Sequence, residues 1–247
     1  MMAIATFFLL GLSFGSFFNV VINRLPQNKS IVFPPSHCPN CEYELKFLDL
    51  IPILSYIFLK GKCRNCEDKI HWQYPMVELF TGFYFVLTYT YFDSYFNIFF
   101  FLIFFSLLFL ASIIDIKHKI IPNKINFLGV IIALIFAVFG DGLEIYESIL
   151  GVLIPFAFFL LLAIIFKGKL GFGDVKFIAL IGAFLGFEKT FVVIFLASTI
   201  ALITSIIYGI IKKDLRFKIP FGPFLALGAV IMSLFSEEIF RLLNLWF

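Results

Sequence analysis

Residues 98–139 read IFFFLIFFSLLFLASIIDIKHKIIPNKINFLGVIIALIFAVF, an apolar run, a short basic link and a second apolar run. A membrane-crossing helix needs about 20 consecutive apolar residues, so this stretch reads as two spans joined by a tight connection. The same pattern continues in both directions. Apolar runs fall at residues 2–22, 77–92, 98–114, 125–139, 148–166, 170–187, 191–211 and 221–235. Eight such spans would occupy about 160 positions and leave about 87 for everything between them, so most links are short. Composition agrees: the 247 residues are 62% hydrophobic and 14% charged, against roughly 45–50% and 25% in a soluble domain. The chain reads as an all-α polytopic membrane protein with eight transmembrane helices. Its phenylalanine load is assigned to lipid-facing bulk and carries no function.

Charge gives the direction. The formal net charge of +3 is too small to point to a nucleic-acid partner, but its distribution is lopsided. Of the 19 Lys and Arg residues, 17 fall in odd-numbered connections and their margins, from Arg24 to Lys69 and then at Lys117, Lys119, Lys124, Lys167, Lys169, Lys176, Lys212, Lys213, Arg216 and Lys218. The other side holds Lys189 and Arg241 among Asp93, Asp141, Glu144, Glu147 and Glu188. The excess of basic residues marks the cytoplasmic side, which places both termini outside. The first run has no basic residue ahead of it, so it reads as an anchor rather than a cleaved signal. The domain plan is a first span at 1–22, a cytoplasmic segment at 23–75 and a seven-span membrane domain at 76–247.

All four cysteines lie in the cytoplasmic segment, as Cys38-Pro-Asn-Cys41 and Cys63-Arg-Asn-Cys66, with 21 residues between the two CxxC pairs. Each pair offers two thiolates to one ion, and the intervening length lets the chain fold back to complete a tetrahedral zinc site. Cytoplasmic thiols stay reduced, so disulfides are not expected. Four protein ligands leave no open position for water, and the zinc is read as a structural clip. His37 and His71 flank the site as exposed loop histidines that are also candidate partners for the ligands.

Ionisable residues within membrane segments are functional hypotheses by default. Here they are Glu78, Asp115 and Asp174. Asp115 closes the third span and Asp174 opens the sixth, 59 residues later. The third span runs inward and the sixth outward, so both carboxylates fall on the cytoplasmic side at similar depth. Two carboxyls a few ångströms apart cannot easily both ionise and share a proton. Such a pair can take a proton from water as it attacks a carbonyl while the partner protonates the carbonyl oxygen or leaving amine. Peptide hydrolysis is the natural reaction. The apolar residues between Val175 and Phe187 are too few for a full crossing, so the Gly171-Phe172-Gly173 turn is expected at or inside the bilayer edge, with a bent, locally unwound helix start. The competing reading is a helix cap at Asp174 and an Asp115 that emerges into water beside Lys117.

At this point the chain resembles the type IV prepilin peptidases, membrane aspartic proteases of the GxGD class. The resemblance spans six elements in order: GSFFNVVINRLP at 15–26, the paired cysteines with LIPILSYIFLKG between them, YPMVELFTG at 74–82, IDIKHKIIPN with Asp115, GFGDVK with Asp174, and IPFGPFLALG at 219–228. It implies catalytic roles for Asp115 and Asp174, with Gly171 and Gly173 supporting, and Glu78 as a lesser candidate for a structural or methyl-transfer role. It implies a multi-pass protein of the bacterial inner membrane, surrounded by lipid, that cuts the basic leader of type IV prepilins and pseudopilins after a Gly. It further implies methylation of the new amino terminus with S-adenosylmethionine, an activity linked to the zinc-bearing cytoplasmic domain. No glycine-rich nucleotide loop locates the cofactor. Gln73 stands where members often carry Arg before Tyr-Pro, Lys117 where many carry an acid, and Asn123 where Asp is common.

Three rival readings differ in what they require. A proton-coupled transporter would use the aspartates as relays and calls for inverted repeats, which the sequence lacks. A non-catalytic zinc-bearing assembly factor leaves GFGD without a purpose. A peptidase without methyl transfer differs from the favoured reading only in its second activity.

Overall fold

A computed structural model describes residues 2–140, 143–166, 170–212 and 219–242. Asp141, Lys167, Lys169, Lys213, Arg216 and Lys218 of the charge count lie outside the described residues. The helices are α1 (Met2–Arg24), α2 (Leu54–Phe58), α3 (Gln73–Tyr91), α4 (Tyr95–His118), α5 (Asn123–Phe139), α6 (Ile145–Ile165), α7 (Phe172–Leu185), α8 (Phe187–Lys212), α9 (Gly222–Leu234) and α10 (Ser236–Leu242). Among the described residues no strand forms beyond the isolated bridges His37 to Glu44 and Lys62 to Lys69.

Each of the eight apolar runs coincides with a helix, but not all of those helices have the length of a span. Among the described residues four are long and apolar enough to cross a bilayer: Met2–Gln27, Tyr95–His118, Ile145–Ile165 and Phe187–Ile211. The count reaches five if α9 and α10, bent 92° apart, form one broken span. The 17, 14 and 13 residues of α5, α7 and α9 fall short of that length, and α3 is diluted by threonines, tyrosines and Glu78. Two boundaries move in instructive ways. α4 continues to His118, so Asp115 sits within a helix and does not emerge at its end. At the start of α7, Gly171 is the extended residue before the helix (φ −67°, ψ 126°), while Phe172 and Gly173 are already helical, so the expected unwinding is absent.

The chain divides into two compact units, Met1–Leu102 and Ile103–Phe247. In the first, α1 and α3 pack antiparallel with almost no space between their backbones. A Cβ on Gly11 would lie 2.7 Å from Gly82 Cα, and one on Gly15 would lie 2.6 Å from Glu78 Cα. Without a hydrophobic drive between helices in lipid, close van der Waals approach over small residues is what holds such a pair. Phe7 stacks on Tyr89 at 4.4 Å, and Phe85, Ile98 and Leu102 form a small buried cluster beyond it.

The second unit is built around α7. Val175, Phe177, Ile178, Leu180 and Ile181 on this one helix are fully buried, because α5, α6, α8 and α9 all pack against it. A helix that is apolar nearly all round belongs in such an enclosed position or in lipid. Ser148 of α6 donates to the carbonyl of Ala183 at 2.7 Å, and Phe104 of α4 stacks on Phe184 at 4.4 Å. Gly186, at φ +79°, is the single residue that turns α7 into α8, a conformation L side chains rarely adopt.

Candidate active site and metal clip

Asp115 is 6% exposed near the carboxyl end of α4. Its Oδ2 accepts the backbone N–H of Gly222, the first residue of α9, at 3.0 Å. A Cβ at residue 222 would lie 2.8 Å from that oxygen and 3.2 Å from Ile121 Cδ1, so only glycine lets the amide reach the carboxylate. Pro223, in the first turn of α9, needs no hydrogen bond for its nitrogen and fixes the direction of the helix start.

Asp174 is half-buried in the first turn of α7. Its N–H donates to Gly171 O at 3.1 Å, and a Cβ on Gly171 would lie 2.9 Å from Asp174 Oδ2. The two carboxyls are near enough for the charge of Asp115 to act on Asp174. The α4–α5 link explains how. Lys119, at φ +54°, ends α4 and donates its N–H to Asp115 O at 2.8 Å. Ile121 then lies against both residue 173 and residue 222, the points where the elements carrying the two sites begin. Lys176 of α7 donates to Asn123 of α5 at 2.9 Å and pins the same corner. The reading in which Asp115 enters water beside Lys117 is therefore not met: Asp115 is buried and Lys117 exposed. One further polar group stands nearby in sequence. Asn126 is 4% exposed, and neither polar atom of its side chain has a hydrogen-bond partner among the described residues.

From the sequence Gly222 has no role beyond its place in IPFGPFLALG. The signal for one was the Gly-Pro pair opening an apolar helix, but nothing local says which side chain its amide meets 107 residues away.

The four thiols come together in the first unit. Cys38, Cys41, Cys63 and Cys66 Sγ all lie within 4.8 Å of one another, with Cys38 to Cys66 at 3.8 Å and Cys41 to Cys63 at 3.9 Å. Tetrahedral zinc with Zn–S bonds of about 2.3 Å calls for sulfurs about 3.8 Å apart, so the donor set fits zinc and no disulfide forms. The two loops are built alike. Cys38 N–H donates to Tyr43 O and Cys63 N–H to Asp68 O, while Glu42 and Glu67 take φ +56° and +58° to bring the chain back.

The thiols differ in how readily they ionise. The Tyr43 backbone N–H and the Asn65 side chain draw the Cys41 thiol down to about 6. At Cys66 the Asp68 N–H also favours the thiolate, but desolvation and the thiols of Cys41, Cys63 and Cys38 outweigh it and push that thiol up to about 12. The cluster thus favours the thiolate at Cys41 and Cys63 and resists it at Cys66, which is the electrostatic situation a divalent ion relieves. Asp49 ties the arrangement: its Oδ1 takes Arg64 Nε and Nη2 at 2.7 Å each, and its Oδ2 takes the Lys46 N–H at 3.1 Å. Desolvation would raise this carboxyl, yet Arg64 and the Lys46 amide hold it below the usual carboxylate range. The flanking histidines face the backbone instead of the thiols. His37 Nδ1 lies 3.0 Å from Pro35 O, and His71 Nδ1 accepts the Gln73 N–H at 3.1 Å.

Apolar helices long enough to cross a membrane, two carboxylates near one another in one unit and four clustered thiols in the other are the features of a polytopic membrane hydrolase. Residues 9–92 match the Bacterial Peptidase A24 N-terminal domain and residues 102–206 match the Type IV leader peptidase family. The chain is 32% identical over 235 residues to the prepilin leader peptidase/N-methyltransferase of Bacillus subtilis (strain 168), covering 94% of each chain. It is 33% identical over 255 residues to the type 4 prepilin-like proteins leader peptide-processing enzyme of Escherichia coli O78:H11, covering 93% of each. With the prepilin leader peptidase/N-methyltransferase of Neisseria gonorrhoeae it shares 30% identity over 266 residues, covering 96% of this chain and 92% of that one. The chain belongs to the type IV leader peptidase family. No solved structure matches.

Proposed function

We propose that the protein cleaves the basic leader from type IV prepilins and pseudopilins after a Gly at the cytoplasmic edge of the bacterial inner membrane, and then methylates the new amino terminus using S-adenosylmethionine. The observation that carries the first activity is the meeting of Asp115 and Asp174 at the ends of two apolar helices. In this reading the two carboxyls share one proton. One takes a proton from the attacking water while the other gives its own to the carbonyl oxygen or the departing amine. The Gly222 amide holds Asp115 through Oδ2 and leaves its other oxygen for that exchange.

The basic leader of a precursor stays on the cytoplasmic side with its apolar helix in the bilayer, so the bond to be cut lies where the basic-residue asymmetry places the two aspartates. The reading retains eight crossings, the shorter helices being carried by their neighbours within the bundle, with both termini outside and residues 23–75 in the cytoplasm as a zinc-clipped domain. Zinc would be held by Cys38, Cys41, Cys63 and Cys66, where it supplies a cross-link and no chemistry.

The test is mass spectrometry of a full-length prepilin incubated with the purified, reconstituted protein, with and without S-adenosylmethionine. Cleavage after the leader Gly, with a gain of one methyl group only when the methyl donor is present, is the expected result. An intact precursor beside an active control peptidase would overturn the proposal, and cleavage without methylation would confine it to proteolysis. Full cleavage by Asp174→Asn would remove the aspartate assignment.

A further inference from the structure

The peptidase reading leaves one buried carboxylate without employment. Glu78, on α3 in the first unit, is 8% exposed. Its Oε2 accepts the Ile53 N–H at 2.8 Å, and the Ser16 side chain of α1 hydrogen-bonds to it as well. Ile53 stands at φ +63°, ψ −49° in a γ-turn closed by Leu54 N–H on Pro52 O at 2.6 Å. This is a rare conformation for a β-branched residue. The cytoplasmic segment thus bends sharply to bring one amide to Glu78. One turn away, Asn19 is buried and donates to Tyr74 O at 3.1 Å, and its carbonyl accepts from Gln73 Nε2 at 3.4 Å. Ser16, Asn19 and Glu78 form a polar patch on the α1–α3 pair, about 7.5 Å along α3 from its first residue.

Both donors to Glu78 are neutral. Among the described residues no lysine, arginine or histidine forms an ion pair with it. A carboxylate offers about four acceptor positions, and burying its charge without a cation is costly. A glutamine would accept the Ile53 N–H and the Ser16 hydroxyl equally well, so the negative charge is not what the fold requires. It is what a cation or a transferable proton would require. The methyl-transfer step of the proposed function, on which this inference rests, supplies such a partner: the α-ammonium of the freshly cut product. An α-amino group titrates near 7.7–8.0, so near neutral pH it is largely protonated and has no lone pair for attack until a base takes a proton.

We propose that Glu78 is the base for methyl transfer, its carboxylate receiving the new α-ammonium at the cytoplasmic end of the α1–α3 pair. One N–H proton moves to the carboxylate and leaves a neutral amine. The amine lone pair attacks the methyl carbon of a sulfonium donor as the carbon–sulfur bond breaks and its electrons return to sulfur, giving a neutral thioether. The product nitrogen is a methylammonium, and Glu78 then returns its proton to water. Ser16 and the Ile53 amide fix the direction of the carboxylate and neutralise no charge.

The test compares the full-length protein with Glu78→Gln and Glu78→Asp in lipid nanodiscs, using a prepilin, a pre-cleaved pilin with a free amino terminus, and S-adenosylmethionine. Glu78→Gln is expected to cleave the prepilin at the unaltered rate and keep its zinc, while methylation of the pre-cleaved pilin falls by about 100-fold or more. Its residual methylation should rise about tenfold per pH unit below the titration of the amine itself, with a flatter profile for the unaltered protein and partial rescue by Glu78→Asp. Methylation by Glu78→Gln within threefold of the unaltered protein overturns the proposal. So does loss of cleavage and zinc together with methylation, which is the signature of a residue that only pins the segment. If the unaltered protein cleaves but never methylates, the methyl-transfer reading itself fails and takes this inference with it, a result distinct from either.

Discussion

Asp49 and Asp115 are both enclosed carboxylates, and they are held by different means. Asp49, in the first unit, faces a guanidinium at 2.7 Å, a backbone amide at 3.1 Å and the Tyr43 hydroxyl at 3.4 Å. The side-chain carboxylate of Asp115, in the second, accepts a single hydrogen bond among the described residues, from the Gly222 amide. The first is neutralised and saturated, which makes it a good fastener and a poor proton carrier. The second is oriented without being neutralised, and its neighbour is another carboxylate. With Asp115 as the proposed catalytic group, the contrast separates holding from reacting: a carboxylate that fastens a loop is surrounded by donors, whereas one proposed to exchange protons keeps acceptor positions open.

The largest break in this comparison comes from removing the exchange. Asp115→Asn or Asp174→Asn should lower prepilin cleavage by about 1,000-fold or more with no change in zinc content, measured by mass spectrometry and metal analysis on the same preparations. Gly222→Ala comes next, because its Cβ would press on both Asp115 and Ile121. A displacement of that kind at a reacting group costs on the order of 10- to 100-fold in turnover, read as a fall in kcat for cleavage while methylation of a pre-cleaved pilin is retained. On the other side, Asp49→Asn should weaken zinc retention by about 10-fold, the lower end of what loss of a supporting partner costs at a metal site, measured by competition with a chelator, and should leave cleavage kinetics nearly untouched.

The smallest effect concerns acid. The Asp49 carboxyl sits below its ordinary value in the folded chain, so its contribution is present above the unfolded value near 3.9 and is lost as pH falls through the lower folded one. The difference in melting temperature between the unaltered protein and Asp49→Asn, followed by tryptophan fluorescence, should therefore be constant from neutral pH to about 5 and close below about 4.

What could be read from the chain divides along the same line. The thiol clip was legible because its ligands sit three residues apart within each loop and the return distance is short. The nearness of Asp115 and Asp174 was legible as an expectation from the alternation of apolar runs along the chain. The means of holding Asp115 was not, because a backbone amide 107 residues away carries no side-chain signature. The length of α7 was overestimated for a related reason. Apolar residues beyond the ends of α7 prolong the hydrophobic run, while Gly171 and Gly186 end the helix on either side. Similarly, Glu78 stood out as an ionisable residue in a span, but the strained turn at Ile53 that reaches it is invisible in LIPILSYIFLKG.

The 14 residues of α7 rise about 21 Å along their axis, some 9 Å less than the hydrocarbon thickness of a typical bilayer. Because α5, α6, α8 and α9 pack around it, α7 meets protein along its sides and need not match the thickness of the lipid. Its length is instead a ruler for Asp174: one residue added within α7 would move that carboxylate about 1.5 Å along the axis and turn it by about 100° from its present direction.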